Sequence, residues 1–171
     1  MLRNALRPSD TKIPVPSASS VIKSFGVKLQ VCWIGKTKEP AIETLTREYV
    51  KRLKHYLPTE ARELRDEAAL TSLVEKERGR RFMVLLDATG KQMSSEELAQ
   101  FIGGHQDRGT QALLFAIGPA DGWTNETQRS AQFLLSLGKM TLPHELARVV
   151  LLEQLYRAFT ILKGHPYHLG H

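Results

Sequence analysis

The chain has 171 residues, of which 42% are hydrophobic and 25% are charged, and its formal net charge is +6. This mix is typical of one globular domain, and no apolar run approaches the roughly 20 residues that span a bilayer, which excludes a membrane-spanning protein. Four basic residues against one acidic residue place +3 of the charge in residues 1–26, so the remaining body carries only +3 and its charge supports nucleic-acid binding weakly.

Residues 1–26 contain three of the eight prolines and no sustained periodicity, so we expect a flexible extension here. Two alternatives stay open for this segment: a transit peptide, because it is basic and poor in acids, or a start codon placed too early. Val27 would begin a compact domain cleanly, and residues 27–171 are expected to form that single domain.

The only cysteine, Cys32, lies in an apolar run at residues 29–34. One cysteine cannot form an internal disulfide, which fits a reducing compartment, and we expect a cytoplasmic protein. A buried structural thiol is favoured over a nucleophile at this position.

From Val27 onward, short apolar runs alternate with stretches of helical periodicity. The predicted elements, in chain order, are a strand at 28–34, a helix at 40–57, a weak polar strand at 59–65, a charged helix at 67–80, a buried strand at 82–86, a turn at 87–90, a helix that begins at 94–97, a buried strand at 111–117, a helix at 125–134, a short strand at 135–140 and a last helix at 144–163. This alternation predicts an α/β fold with a mainly parallel sheet of about five to six strands and helices on both faces.

Ligands of parallel α/β sheets usually lie beyond the carboxyl ends of the strands, and three such ends stand out here. They are Leu86 with Asp87, the glycine turn at 118–122, and residues 137–142. The glycines would let backbone approach a ligand, although an ordinary tight turn is the alternative. Apolar side chains at 137–142 around exposed backbone groups would suit a flat, mostly neutral ring such as adenine; an ordinary strand-to-helix turn is the alternative there.

The last predicted helix is apolar on nearly every side, which predicts burial all round, in a core or at a subunit interface. Glu153 and Arg157 are four residues apart in the favourable order and are predicted to form a simple surface pair. Arg148, one turn into the helix, is the better functional candidate, as a contact for a phosphate or a carboxylate.

The tail places histidines at positions 165, 168 and 171, with Tyr167 between the first two. No cysteine or carboxylate cluster lies nearby in the sequence, so we expect no metal site. Histidine and aromatic side chains at a chain end suit stacking on an unpaired base and proton transfer to or from it. A tail without function is the alternative.

Taken together, these motifs resemble the SPOUT-class methyltransferases, and within them the bacterial family that methylates N3 of a pseudouridine in 23S ribosomal RNA. The resemblance covers about residues 28–168 and is carried by segments at 28–36, 85–96, 117–122, 140–149, 153–158 and 165–168. It implies an α/β fold with a C-terminal trefoil knot, a homodimer joined largely by the last helix, and an S-adenosylmethionine cofactor. The implied substrate is ribosomal RNA in the large subunit or the assembled 70S ribosome, with no membrane and no metal involved.

The resemblance also assigns roles to individual residues. The cofactor would be bound by Leu86, Gly118, Leu137, Gly138, Lys139, Met140, Thr141 and Leu142. The RNA would be contacted by His144, Arg148, His165, Tyr167 and His168, of which Arg148, Tyr167 and His168 would take part in catalysis.

Two positions depart from the family pattern: Pro119 stands where a second glycine usually follows Gly118, and Gly138 stands where a serine is common. Proline removes an amide donor and fixes φ, so one wall of the cofactor pocket is expected to change shape while activity survives. Pro119 also keeps open a catalytically impaired ribosome-binding factor of the same fold. A generic nucleotide-binding α/β enzyme is a further alternative, although the chain has no recognised phosphate loop.

Overall fold

The structure is a computed structural model that describes residues 26–76 and 81–169. The predicted extension, apart from Gly26, therefore lies outside the described residues, as do residues 77–80 of the predicted charged helix. The strands are β1 (Lys28–Ile34), β2 (Thr59–Leu64), β3 (Arg81–Gln92), β4 (Ala112–Ile117) and β5 (Phe133–Ser136). The helices are α1 (Pro40–Leu53), α2 (Glu67–Glu75), α3 (Ser95–Asp107), α4 (Asn125–Ser130) and α5 (His144–Leu162), followed by a 3-10 turn at Pro166–Leu169.

The five described strands form one sheet in the order β2-β1-β4-β3-β5, and every neighbouring pair is parallel. Side chains of α1, α3 and α5 pack on one face of this sheet, and those of α2 pack on the other. The predicted α/β fold with helices on both faces is thus confirmed. Because all strands run the same way, the carboxyl ends of β3, β4 and β5 meet at one edge.

Cys32 is buried on the α2 face of the sheet, as expected for a structural thiol. Burial raises the pKa of this thiol to about 11, so it stays protonated at neutral pH. A protonated, inaccessible thiol is a poor nucleophile.

The predicted turn at 87–90 is wrong, because β3 continues through it to Gln92. Leu86 and Lys91 both pair with Leu135 of β5, with an irregularity between them. A β-carbon on Gly90 would lie 2.6–2.7 Å from backbone atoms of Leu134 and Leu135, closer than real atoms approach. Glycine therefore allows the second half of β3 to lie directly against β5, and this pairing outweighs the turn-forming character of the sequence.

The predicted boundary between α4 and β5 is also wrong: the helix ends at Ser130, and the strand is Phe133–Ser136 instead of 135–140. Gln132 pairs with β3 before the strand begins, since its N–H donates to the Met83 carbonyl over 3.1 Å. Its side-chain oxygen accepts from the Met83 N–H at 2.7 Å. These two bonds to a neighbouring strand end the helix earlier than its helix-forming residues suggest.

Helix α1 is shorter than predicted, and helix α5 is only partly buried within one protomer, which leaves its predicted burial at a subunit interface a prediction. Helix α1 ends at Leu53 instead of the predicted Leu57, and a turn at residues 54–57 leads to Pro58. Helix α5 is not buried all round in one protomer, because Leu146 is 43% exposed and Leu162 is 36% exposed. Part of its apolar surface is therefore available for contact with another molecule.

Candidate functional site

A cleft of about 250 Å³ opens at the carboxyl ends of β4 and β5, beside residues 86–88 in the middle of β3. Three segments build its walls: the residues after Leu86 in β3, the turn that follows β4, and the loop between β5 and α5. The lining residues are Leu86, Asp87, Ala88, Ile117, Gly118, Pro119, Gly122, Trp123, Leu135, Ser136, Leu137, Gly138, Met140, Thr141, Leu142, His144 and Ala147.

The cleft brings together most of the residues assigned to the cofactor. Leu86, Gly118 and all of residues 137–142 except Lys139 line it, and His144 lies at its rim where α5 begins. Lys139 is exposed and is not among the lining residues. The assigned roles themselves stay predictions.

Trp123 lines the cleft and was missed by sequence reasoning. Its indole N–H donates to the Leu86 carbonyl over 2.8 Å, which ties the turn after β4 to the middle of β3. Its ring lies over Gly118, where a β-carbon would come within 2.9–3.2 Å of three ring atoms. The only signal in the sequence is an aromatic residue directly after the glycine turn.

The turn that contains Pro119 is closed by backbone groups. The Gly122 N–H donates to the Pro119 carbonyl over 3.0 Å, and Gly122 has a φ of +87°, a conformation that favours glycine. Pro119 thus acts as an acceptor in this turn, for which its missing N–H is not needed.

The loop between β5 and α5 lines the cleft and contains backbone amides without a backbone partner. The Ser136 hydroxyl donates to the Gly138 carbonyl over 3.0 Å, and Gly138 adopts a φ of +140°, which glycine tolerates best. Within the described residues, the amides of 139–142 make no backbone–backbone hydrogen bond. Apolar walls beside free amides are the arrangement that binds the faces and edge of a flat heterocycle such as adenine.

Asp87 contributes a carboxylate whose orientation is fixed. One oxygen accepts from the Thr89 N–H at 2.8 Å and from the Thr89 hydroxyl at 2.5 Å, and the other accepts from the Gln128 amide at 2.7 Å. Burial tends to raise the pKa of Asp87, but the hydrogen bonds from Thr89 and Gln128 outweigh it and leave the pKa below its usual range. The cleft therefore holds an ionised carboxylate at neutral pH.

Arg148 does not line the cleft and is 1% exposed. Its guanidinium carbon lies 4.0 Å from the centroid of the Trp33 ring, and Nη1 donates to the Thr37 hydroxyl over 3.0 Å. Nε and Nη2 have no partner among the described residues. Burial lowers the pKa of Arg148, while the nearby carboxylate of Glu145 opposes this.

We expect Arg148→Ala to reduce the free energy of unfolding by about 2–4 kcal/mol, because it removes the ring contact and leaves a cavity beneath Trp33. Arg148→Met, which keeps most of the side-chain volume, should recover roughly half of this loss. Urea denaturation measures both, with the exposed Arg47→Ala as the matched control. Equal stability of Arg148→Ala and Arg47→Ala would contradict a packing role.

The tail folds back on α5, away from the cleft of its own protomer. The Tyr167 hydroxyl donates to the Glu153 carboxylate over 3.3 Å, and its ring meets that of Tyr156 edge-on at 4.8 Å. Glu153 also pairs with Arg157 at 2.8 Å, so the predicted pair is present but is shared with the tail. His165 accepts from the Tyr167 N–H at 3.2 Å, and His168 lies in the 3-10 turn.

Burial, followed by the nearby Glu153 carboxylate, raises the pKa of Tyr167 to about 12. The phenol is therefore neutral at physiological pH and offers a hydrogen-bond donor and an aromatic face. It is unsuited to removing a proton from a substrate.

Within residues 26–76 and 81–169, no three histidine, cysteine, aspartate or glutamate side chains lie together in a way that could hold a metal ion. None of the described helices is both long enough and apolar enough to cross a membrane.

Comparisons with known proteins point to one family. A family profile described as "Predicted SPOUT methyltransferase" matches residues 27–168. A protein of Koribacter versatilis (strain Ellin345), named Ribosomal RNA large subunit methyltransferase H, is 62% identical over 146 residues, which are 85% of this chain and all of that protein. A Geobacter sp. (strain M21) protein of the same name is 42% identical over 154 residues, covering 83% of this chain and 99% of that one.

Solved structures share the fold at low sequence identity. The SpoU methyltransferase AviRb from Streptomyces viridochromogenes, solved in complex with the cofactor AdoMet, is 17% identical and aligns with a TM-score of 0.51 over 80% of this chain and 60% of that one. A probable methylase family protein from Haemophilus influenzae Rd KW20 is 14% identical and gives a TM-score of 0.55 over 81% of this chain and 69% of that one. With the profile match across nearly all of the described residues and relatives of the same length as the matched region, the chain belongs to the SPOUT methyltransferase family.

Proposed function

We propose that this protein is an S-adenosylmethionine-dependent methyltransferase that modifies N3 of a pseudouridine in 23S ribosomal RNA, on the assembled ribosome in the cytoplasm. The observation that carries the proposal is the cleft at the strand ends, with its apolar walls and free loop amides, in a chain that is 62% identical to a protein named as a large-subunit ribosomal RNA methyltransferase. The trefoil knot remains part of this proposal.

The apolar side chains and backbone groups that line the cleft suit S-adenosylmethionine. Leu86, Gly118, Met140, Thr141 and Leu142 would hold the cofactor, the last three offering backbone amides to the edge of its adenine. The bound cofactor supplies a methyl group on a positively charged sulfur, which needs alignment more than activation. The chain's residues therefore serve chiefly to bind, to orient and to exclude water.

Proton removal from N3 falls to the tail in this proposal. Tyr167 keeps its own proton at neutral pH, so it would stack on the base or donate a hydrogen bond to it. We assign the acceptor role to His168, because an imidazole exchanges protons near neutral pH. His144 and His165 would contact the RNA. Arg148 would reach a phosphate or the base only if the loop that contains Thr37 moved aside.

The geometry of α5 favours a homodimer in which the tail acts on the cleft of the other protomer. His144, at the start of α5, lines the cleft. The tail packs on Glu153, which lies about 13 Å further along the axis of α5. Antiparallel packing of two α5 helices about a two-fold axis would place each tail beside the partner's cleft. The exposed apolar residues Met140 and Leu146 lie at the cleft end, where such packing would cover them.

Subunit mixing tests this arrangement. One variant carries Gly118→Val, whose side chain would collide with the Trp123 ring and deform the cleft while keeping the tail, and the other carries His168→Ala, which keeps the cleft. Each variant alone should be nearly inactive. Denaturing and refolding them together at equal concentration should restore about a quarter of the wild-type activity, because half of the dimers are mixed and each has one intact composite site.

No restoration on mixing, with both variants folded and dimeric, would mean that each tail serves its own protomer. If His168→Ala alone kept full activity, then the tail would only position the RNA.

A further inference from the structure

The cleft is lined by one charged side chain. Asp87 is the only aspartate, glutamate, lysine or arginine among the lining residues of the described chain, and His144 is the only histidine there. Lys139, the nearest cation along the loop, is exposed and outside the lining. The wall thus carries a negative charge with no lysine or arginine to balance it.

The carboxylate of Asp87 is both oriented and incompletely used. Thr89 donates twice to one oxygen, whereas Gln128 donates once to the other. A carboxylate oxygen has two lone pairs, so the oxygen bonded to Gln128 has room for a further donor or cation. Asp87 is half-buried and faces largely apolar walls, where an electrostatic interaction is stronger than in bulk water.

We propose that Asp87 determines the specificity of this cleft, making it select a positively charged nucleoside over a neutral or an anionic one. Either a sulfonium or an ammonium group on the ligand would be attracted to this carboxylate. A nucleoside triphosphate would meet an uncompensated negative charge where phosphate-binding sites supply amides and lysine. The inference rests on the proposed function, since it assumes that the cleft binds S-adenosylmethionine.

Charge selection differs from a purely structural role for Asp87. Through Gln128 the carboxylate also fastens α4 to the middle of β3. If this were its whole purpose, then removing the charge would loosen the wall and weaken every nucleoside to the same extent. If Asp87 selects by charge, then removing its charge changes the affinity of charged ligands and leaves that of neutral ligands unchanged.

Calorimetric titration of the full chain with four ligands separates these cases. S-adenosylmethionine carries a sulfonium, an ammonium and a carboxylate. S-adenosylhomocysteine lacks the sulfonium but keeps the ammonium and the carboxylate, 5′-methylthioadenosine is neutral, and ATP is anionic. In Asp87→Asn, we expect the Kd for S-adenosylmethionine to rise about five- to twentyfold, while the Kd for 5′-methylthioadenosine changes less than about twofold. The disadvantage of ATP relative to 5′-methylthioadenosine should also diminish.

Two variants serve as controls. Asp107→Asn removes an exposed carboxylate at the end of α3 and should leave all affinities unchanged. Gln128→Ala removes the tie to α4 but keeps the charge, so it should preserve the preference for S-adenosylmethionine over 5′-methylthioadenosine. This second variant also tests the inference if Asp87→Asn fails to fold, because loss of the preference in Gln128→Ala would overturn it.

The titrations either support or overturn charge selection by Asp87. A parallel loss of affinity for S-adenosylmethionine and 5′-methylthioadenosine in Asp87→Asn, or no loss for either, would overturn charge selection. Loss for S-adenosylmethionine alone would support it through the sulfonium, and loss for S-adenosylhomocysteine as well would support it through the ammonium. Failure of the wild-type chain to bind S-adenosylmethionine would instead contradict the proposed function.

Discussion

Gly118→Ala is expected to weaken S-adenosylmethionine binding by at least about tenfold, because a β-carbon at this position would lie 2.9–3.2 Å from atoms of the Trp123 ring. The ring cannot simply move away, since its N–H bonds the Leu86 carbonyl and the ring is 9% exposed. Either the ring breaks that bond or the end of β4 shifts, and both changes deform a wall of the cleft. Isothermal titration measures the change in Kd.

A second substitution locates the cause of this effect. In Gly118→Ala/Trp123→Leu the ring is gone, so part of the lost affinity should return, although the hydrogen bond to Leu86 does not. Gly26→Ala, at a glycine with no atom within 4 Å of the added carbon, is the matched control and should bind as the wild type does. Wild-type affinity in Gly118→Ala would contradict the described packing of Trp123.

Gly90→Ala is expected to reduce the free energy of unfolding by about 2–4 kcal/mol. Its β-carbon would lie 2.6–2.7 Å from backbone atoms of Leu134 and Leu135, and backbone cannot rotate aside as a side chain can. Relief requires β3 and β5 to separate, which would also displace Leu135 and Ser136 in the cleft wall. Urea denaturation measures the loss of stability, again against Gly26→Ala. A change of less than about 0.5 kcal/mol would mean that the two strands lie further apart than described.

Much of the sheet was predictable because its central strands are largely apolar runs. Strand β1 has its predicted bounds, and β4 begins one residue later than predicted. Strands buried on both faces need apolar side chains throughout, so the sequence marks them directly. The location of the cleft followed from this, since ligand sites of parallel sheets lie at the carboxyl ends of their strands.

The errors fall where tertiary pairing outweighs local preference. The polar second half of β3 has the composition of a turn, and only its contact with β5 makes it a strand. In the same way, Ser130, Ala131 and Gln132 continue a helical pattern, but Gln132 bonds Met83 in β3. Local composition carries no information about a neighbour that is 40 or more residues away in the chain.

Some residues of the candidate site could be predicted from local sequence, and others could not. The loop at 137–142 and Gly118 could be assigned from motifs, whereas the roles of Trp123 and Asp87 depend on contacts between separate segments. The burial of Arg148 beneath Trp33 likewise depends on the approach of α5 to the end of β1. The tail was identified by its residue types, but its position relative to a cleft depends on a second protomer in the proposed arrangement.

The most direct test of the proposed function is methyl transfer to ribosomes. Assembled 70S ribosomes and naked 23S RNA, both from cells that lack this modification, would be incubated with the full-length protein and S-adenosylmethionine labelled in its methyl group. Mass spectrometry of the digested RNA then locates the label. The proposal predicts one methyl group per 70S ribosome, on N3 of a single pseudouridine in 23S RNA, and little label on naked RNA. Binding to ribosomes with no methyl transferred would contradict it and favour the impaired binding factor, and a methyl group on another nucleotide or another RNA would contradict the proposed substrate.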